Sequence, residues 1–279
     1  MKIGIVTDTS ADLTEEEAQR LCVEEIELPV IFEGESVPCR EKDEFWKKLI
    51  SGKTARTSQA NPEALKHLFE TARNEGRALI CIFMSSRLSG TFACAEAVRR
   101  ETGYEHIYLV DSLNVTAGEK LLVTEACRLR DGGFDPAEIV AKLEKIKPRI
   151  RLHACIDTLK YLARGGRIAK AAANIGSILN IKPLFSITDG TVEIYGKTIG
   201  VKIAMKKIID QVKAQKPDEA FPPVPLYAYN DKNCAEFVRR ANEAGLNVDG
   251  NLCTPIGATI GTHIGPGGFG IAYAVKAES

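Results

Sequence analysis

Ala78-Leu79-Ile80-Cys81-Ile82-Phe83-Met84 runs straight into Ser85-Ser86-Arg87-Leu88-Ser89-Gly90-Thr91, and a helical pattern follows to about Arg100. A short, wholly apolar run is the signature of a strand buried on both faces of a parallel sheet. A strand that ends in hydroxyls and a glycine just before a helix begins can serve as an anion site. The helix start offers unpaired N–H groups and about half a positive charge, and hydroxyls at Ser89 and Thr91 add donors. Gly90 would let a ligand approach the backbone. Simple serine capping of a βα loop explains the same residues, so the rest of the chain must decide.

Upstream, Lys2 to Val6 reads as a strand closing on the polar loop Thr7-Asp8-Thr9-Ser10-Ala11-Asp12-Leu13. Thr14 with Glu17 three residues on forms a capping box for a helix to about Leu21. Glu27 to Phe32 predicts a second strand, Glu33-Gly34-Glu35 a turn, and Glu41 to Ile50 a helix. Thr54 to Ala60 is irregular and rich in hydroxyls. There Thr57-Ser58-Gln59 precedes Asn61-Pro62, an N-cap with proline at the first helical position. Downstream lie a strand at His106 to Val110, a helix from Val115 to Arg130 and another from Pro136 to Ile146. Strand and helix alternating at short spacing predict a parallel α/β sheet with helices on both faces, whose ligands gather at the carboxyl ends of the strands.

After Lys147-Pro148 the pattern changes. Arg151 to Asp157 and Pro183 to Thr188 read as strands, and Asp189-Gly190 is a two-residue hairpin turn into Val192 to Tyr195. Antiparallel pairing therefore begins here, which predicts a second α/β domain over residues 149–279 after a first over 1–148. Helices are expected at Ala169 to Leu179, Val201 to Val212 and Asn233 to Ala244. A strand is expected at Leu226 to Tyr229, and another ends the chain at about Val275 after the glycine-rich Ile260 to Gly270.

Composition excludes several classes. Lysine plus arginine and aspartate plus glutamate stand at 37 each, so no net field draws nucleic acid. No apolar run approaches the ~18 residues of a membrane span, and no signal-peptide pattern opens the chain. The eight cysteines form no Cys-x-x-Cys pair, so buried reduced thiols are expected rather than a zinc or redox site, with no metal or cofactor. These features predict a cytoplasmic protein.

Thr7 to Asp12, Thr57-Ser58-Gln59, Ser85 to Thr91, Leu159 to Ile168 with its Gly165-Gly166-Arg167-Ile168, and Thr262-His263-Ile264-Gly265-Pro266-Gly267 together resemble the signature blocks of the DegV family. The resemblance spans nearly the whole chain. It implies a two-domain protein that buries one long-chain fatty acid between its domains. Family members include binding subunits of the bacterial fatty acid kinase, which present the acyl carboxylate to a separate ATP-dependent kinase. Carried over, the resemblance makes Thr57, Ser58 and Ser89 hydroxyl ligands of the carboxylate and the Gly90 N–H a backbone donor. Arg167 and His263 would close the head site from the second domain. Thr9-Ser10 stands where many members have Ser-Thr, and Arg87 occupies a variable position.

The energetics fit that reading. A buried carboxylate needs hydrogen bonds or a counter-charge, each hydrogen bond to a charge being worth roughly 1.5–3 kcal/mol. A tail of about fifteen methylenes at ~0.8 kcal/mol each releases about 12 kcal/mol gross. The tail then carries the affinity and the head site fixes position. The competing reading is a serine-dependent hydrolase acting on a lipid ester, with Ser89, His263 and Asp111 or Asp8 as a triad. Leu88-Ser89-Gly90 lacks the Gly-x-Ser-x-Gly elbow that such a nucleophile needs. No Gly-x-x-x-x-Gly-Lys-[Ser/Thr] loop occurs, so a phosphotransferase is disfavoured too.

Overall fold

The computed structural model describes residues 1–38, 42–168 and 181–277. Ile3–Asp8 (β1), Val23–Ile26 (β2), Ala78–Phe83 (β6) and Ile107–Asp111 (β7) form a four-stranded, wholly parallel sheet in the order β2-β1-β6-β7. All six residues of β6 are buried, as an apolar run at the centre of a parallel sheet requires. Helices α1 (Glu15–Leu21), α3 (Pro62–Asn74), α4 (Thr91–Thr102), α5 (Thr116–Asp131) and α6 (Pro136–Ile146) supply the crossovers and the covering layers. The Thr14/Glu17 capping box and the Asn61 cap form as predicted.

The expected strand over Glu27 to Phe32 is displaced. Val23–Ile26 pairs in the main sheet, and only Val30–Phe32 (β3) is extended, in a separate antiparallel sheet with Glu35–Val37 (β4) and Ala55–Thr57 (β5). Val23-Glu24-Glu25-Ile26 buries only its two ends, and so short a pattern carries no readable period. β5 turns the supposedly irregular segment into an edge that holds Thr57 in register with Val30. Helix α2 (Lys42–Ile50) buries Phe45, Trp46 and Leu49, with Phe45 packed against Phe32 of this small sheet.

The second sheet is mixed and six-stranded, in the order β10-β9-β8-β13-β11-β12. Its strands are Ile150–Cys155 (β8), Ile181–Thr188 (β9), Thr191–Ile199 (β10), Val224–Tyr227 (β11), Thr254–Pro255 (β12) and Phe269–Ala274 (β13). Asp189 and Gly190 both have positive φ, 45° and 78°, which is the backbone of the tight hairpin that Asp-Gly predicts. Val201–Ala214 (α8) and Lys232–Glu243 (α9) pack on this sheet through Met205, Ile208, Phe237, Ile271 and Tyr273. Two short helices were not foreseen: Lys160–Gly165 (α7) and Ala258–Ile264 (α10). The expected helix at Ala169 to Leu179 lies outside the described residues. One apolar core joins both sheets, running from Ile5 and Ile80 to Leu152, Ile187 and Ile256. Among the described residues no helix is long and apolar enough to cross a membrane.

Candidate functional site

A cavity of about 440 Å³ opens between the two sheets. Its floor is the inner face of the six-stranded sheet: Leu152 and Ala154 of β8, Phe185 and Ile187 of β9, Val192 of β10 and Leu226 of β11. These positions fall in cross-strand rows, Val192–Ile187–Leu152 and Phe185–Ala154, because side chains on one face of a sheet recur every second residue. Leu28, Met84, Leu88, Val115, Ile256 and Ile260 close it from the other side.

The mouth is polar. All six residues singled out from the sequence, Thr57, Ser58, Ser89, Gly90, Arg167 and His263, line the same cavity. They arrive from three directions. Thr57 and Ser58 come from the end of β5, Ser89 and Gly90 from the loop before α4, and Arg167 and His263 from the segments after and within α7 and α10. Ser58, Gly90 and Arg167 are exposed, whereas the floor is buried. A wet, hydrogen-bonding rim therefore leads into a dry interior.

The rim is wired together. Thr57 Oγ1 lies 2.9 Å from His263 Nε2. His263 Nδ1 is buried without a partner, and it faces Gly165 so closely that a Cβ there would sit 2.2 Å from it. Buried orphan N–H groups are the rarer and costlier defect, so we assign the proton to Nε2, donated to Thr57 Oγ1. The Thr57 hydroxyl hydrogen is then free to point into the cavity. Burial, aided by the nearby Arg167 charge, pushes the His263 pKa down to about 4, so the ring is neutral at pH 7. Arg167 bridges the two halves, donating from Nε to Leu88 O (3.2 Å) and from Nη1 to Gly165 O (2.6 Å).

Ser89 Oγ accepts the Thr91 backbone N–H at 3.3 Å and lies 3.0 Å from Thr91 Oγ1, which in turn accepts Ala60 N–H. Ser89 stands one residue ahead of the Gly90 N-cap, and no side chain caps α4, so its hydroxyl holds only the first helical N–H while it lines the cavity. Gly90 differs from expectation. The space beside its Cα is taken by Gln59, whose Oε1 would lie 2.2 Å from a Cβ, so the glycine admits a neighbouring side chain. Gln59, Thr116 and Thr259 are polar lining residues that were not anticipated. Gln59 directly follows Thr57-Ser58, but nothing in the sequence pattern separates it from its neighbours.

The hydrolase arrangement does not assemble. His263 Nε2 engages Thr57 rather than Ser89, and no carboxylate orients its Nδ1. Asp111 Oδ1 accepts the N–H groups of Ser86 and Leu113, while Asp8 accepts those of Ser10 and Met84. Among the described residues no group of three or more His, Cys, Asp or Glu side chains is placed to hold a metal.

A buried acid network supports the loops beneath the mouth. Ser10 Oγ lies 2.5 Å from Asp8 Oδ1 and 2.8 Å from Glu119 Oε2, and Thr7 Oγ1 donates to Glu119 Oε1. Burial first, then the Asp8 charge, raises the Glu119 pKa strongly. Asp12, left-handed at φ 55°, accepts the Gly257 N–H at 2.8 Å at the start of α10, the helix that carries His263. Burial lifts its pKa to about 6 against the opposing pull of Lys42.

The comparisons decide the family. A family model described as "Uncharacterised protein, DegV family" matches residues 2–276. This chain belongs to the DegV family. It is 32% identical over 278 residues to a DegV domain-containing protein of Caldanaerobacter subterraneus subsp. tengcongensis, covering 99% of each chain. Among solved structures it is similar to a fatty-acid-binding DegV family protein from Thermus thermophilus, with a TM-score of 0.89, 28% identity and coverage of 99% of this chain and 100% of that one. It is also similar to DegV, a fatty acid binding protein from Bacillus subtilis, with a TM-score of 0.83, 26% identity and the same coverage. The expected fold, a parallel sheet followed by a mixed sheet with helices, is the DegV fold.

Proposed function

We propose that this protein binds one long-chain fatty acid and presents its carboxylate to a separate ATP-dependent fatty acid kinase. The observation that carries the reading is the cavity, apolar and buried on its floor and polar and exposed at its mouth. Its volume of about 440 Å³ falls within the roughly 300–1,000 Å³ of small-molecule sites. The solved relatives from Thermus thermophilus and Bacillus subtilis that bind fatty acid lend further support.

In this reading the carboxylate sits at the mouth. Thr57, its proton direction set by His263, and Ser89 donate hydroxyl hydrogen bonds. Ser58 and the Gly90 N–H add donors, and Arg167 supplies the counter-charge. Residues 1–148 and 149–279 act as two domains that close on the ligand from opposite sides. The tail lies over the floor, where burial of about fifteen methylenes at ~0.8 kcal/mol each outweighs the head contacts. Strong tail burial with an exposed head suits a carrier, because a kinase must reach the carboxylate without extracting the chain. Exposed Arg87 and Arg164 beside the mouth are suited to guiding an acidic partner surface. The unbridged thiols support a reducing, cytoplasmic setting.

The test has two stages. Denaturing the purified protein and analysing released small molecules by mass spectrometry is expected to yield an acyl chain. A bare chain that also takes up no added palmitate or oleate would overturn fatty-acid binding. The loaded protein is then incubated with magnesium and ATP, with and without candidate kinases. Acyl phosphate is expected only with a kinase. Its formation without one would refute the carrier role, and its absence with every cognate kinase would leave passive lipid binding.

A further inference from the structure

The short 3-10 turn Gly250–Leu252 ahead of β12 brings two thiols together. Cys234 on α9 and Cys253, which leads into Thr254–Pro255, place their sulfurs 3.3 Å apart. The other described cysteines have no sulfur neighbour of this kind. Cys22, Cys94 and Cys155 spend their S–H on the backbone carbonyls of Gln19, Ala60 and Ile156. A disulfide needs its sulfurs at about 2.05 Å, so closure asks for a movement of about 1.2 Å, within reach of side-chain rotation.

The two members are not equivalent. Cys234 is fully buried among Phe237, Ala241 and Val248, while Cys253 is only half-buried at the edge of that cluster. Their mutual hydrogen bond holds the Cys253 thiol below its ordinary range, against burial and the carboxylates of Asp231 and Asp249, and it pushes Cys234 up. Of the two, the sulfur that solvent can reach is therefore the more readily ionised. The two nearby carboxylates repel anionic reagents, which favours a small neutral oxidant.

We propose that Cys234 and Cys253 are a redox pair that closes to a disulfide on meeting a small neutral peroxide, tying α9 to the strand that leads into α10. Cys253 thiolate attacks one peroxide oxygen, the O–O bond breaks, and hydroxide leaves, giving a sulfenic acid at Cys253. The Cys234 sulfur then attacks that sulfur, forming the S–S bond and releasing the second oxygen as water. Two thiols and one hydrogen peroxide become one disulfide and two waters. The link pins the segment whose other anchors are Lys120 Nζ to Thr254 Oγ1, Lys42 Nζ to Pro255 O and Asp12 to the Gly257 N–H. It would thereby fasten the entry to the helix that carries His263. None of this depends on the identity of the cavity's ligand.

The experiment uses the full, reduced chain. After a pulse of hydrogen peroxide the denatured protein is alkylated and mapped by mass spectrometry. The number of alkylated cysteines is expected to fall from eight to six, with one cross-linked peptide pair joining Cys234 to Cys253, restored by dithiothreitol. In Cys234→Ser, dimedone is expected to trap a sulfenic acid at Cys253 and no cross-link to form. Alkylation of both residues persisting in the wild-type chain while exposed Cys22 is oxidised would overturn the proposal. So would Cys253 paired with any other cysteine.

Discussion

Ala154→Leu tests the division of labour between tail and head. Ala154 lies on the cavity floor, 2% exposed, flanked across the sheet by Phe185 and Gly270. Leucine adds three carbons that project into the empty volume, so the variant costs little or no strain if the neighbouring floor stays in place. A ligand chain long enough to cross Ala154 loses the burial of about three methylenes. At ~0.8 kcal/mol each the loss is about 2.4 kcal/mol, or a roughly fiftyfold rise in Kd. Acids too short to reach that part of the floor should bind as they do to the wild-type chain. The assay is a titration with saturated fatty acids of increasing length, read by calorimetry or by displacement of a fluorescent acyl probe. Thermal unfolding of the ligand-free protein serves as the control, and its midpoint should hold or rise. A loss equal at every chain length would show that the tail does not lie over β8. No loss at any length would move the ligand out of this cavity altogether.

Three further outcomes follow from the same geometry. Ser89→Ala and Thr57→Ala should each weaken binding roughly tenfold to a hundredfold at every chain length, since each removes one hydrogen bond to a charge and leaves the tail buried; an unchanged Kd in both refutes the head-site assignment. Asp12→Asn keeps the acceptor for the Gly257 N–H but removes a carboxyl whose folded pKa is raised from 3.8 to about 6. The cost of its ionisation builds as pH rises from 3.8 to about 6, is constant above that and is absent below 3.8, so the variant should gain up to about 3 kcal/mol near pH 7.5 and nothing near pH 3.5, measured by denaturant unfolding; a gain independent of pH refutes it. Glu119→Gln should unfold within about 1 kcal/mol of wild type at pH 7, whereas Glu119→Ala should lose about 3 kcal/mol, and equal losses would mean that Glu119 is ionised.

The parallel half of the fold was legible because its signals are local. β6 is a pure apolar run, and the capping box at Thr14 and the Asn61-Pro62 start are short-range chemistry; in the second half only Asp189-Gly190, which dictates its own turn, is as local. What escaped was set by distant partners. Val23–Ile26 is a strand because β1 lies beside it, and Ala55–Thr57 because β3 does. α10 reads as a glycine-rich loop, since glycines weaken its helical signal, yet Asp12 from the other end of the chain holds its first turn. The candidate head residues stood in recognisable blocks. The floor did not, because alternating Leu152 and Ala154 describe any half-buried strand until the opposite wall is known. The facing of His263 toward Thr57, across more than two hundred positions, has no sequence signal at all.

The acid network shows how the loops that carry the mouth are kept in place with only one charge beneath the cavity. Ser10 has one hydroxyl hydrogen, yet its oxygen stands within hydrogen-bonding distance of both Asp8 Oδ1 and Glu119 Oε2. One of the two acids must therefore bring a proton of its own. Both acids are fully buried and burial raises both, but at Asp8 the Ser10 hydroxyl and the N–H groups of Met84 and Ser10 oppose that rise, whereas at Glu119 the Asp8 charge adds to it. The proton belongs on Glu119 Oε2, which donates to Ser10 Oγ, which donates to Asp8 Oδ1, while Thr7 donates to Glu119 Oε1. Every partner in that chain is satisfied with a single net negative charge, spread over backbone donors at the ends of β1 and β6. Met84, fixed through its N–H to Asp8, then turns its side chain to the cavity wall, so the dry interior begins immediately above the network. Ionising Glu119 as well would place a second uncompensated charge under an apolar pocket, and the loops bearing Ser10 and Met84 would have to open to admit water. A neutral glutamic acid at this position lets polar loops and an apolar cavity share one wall.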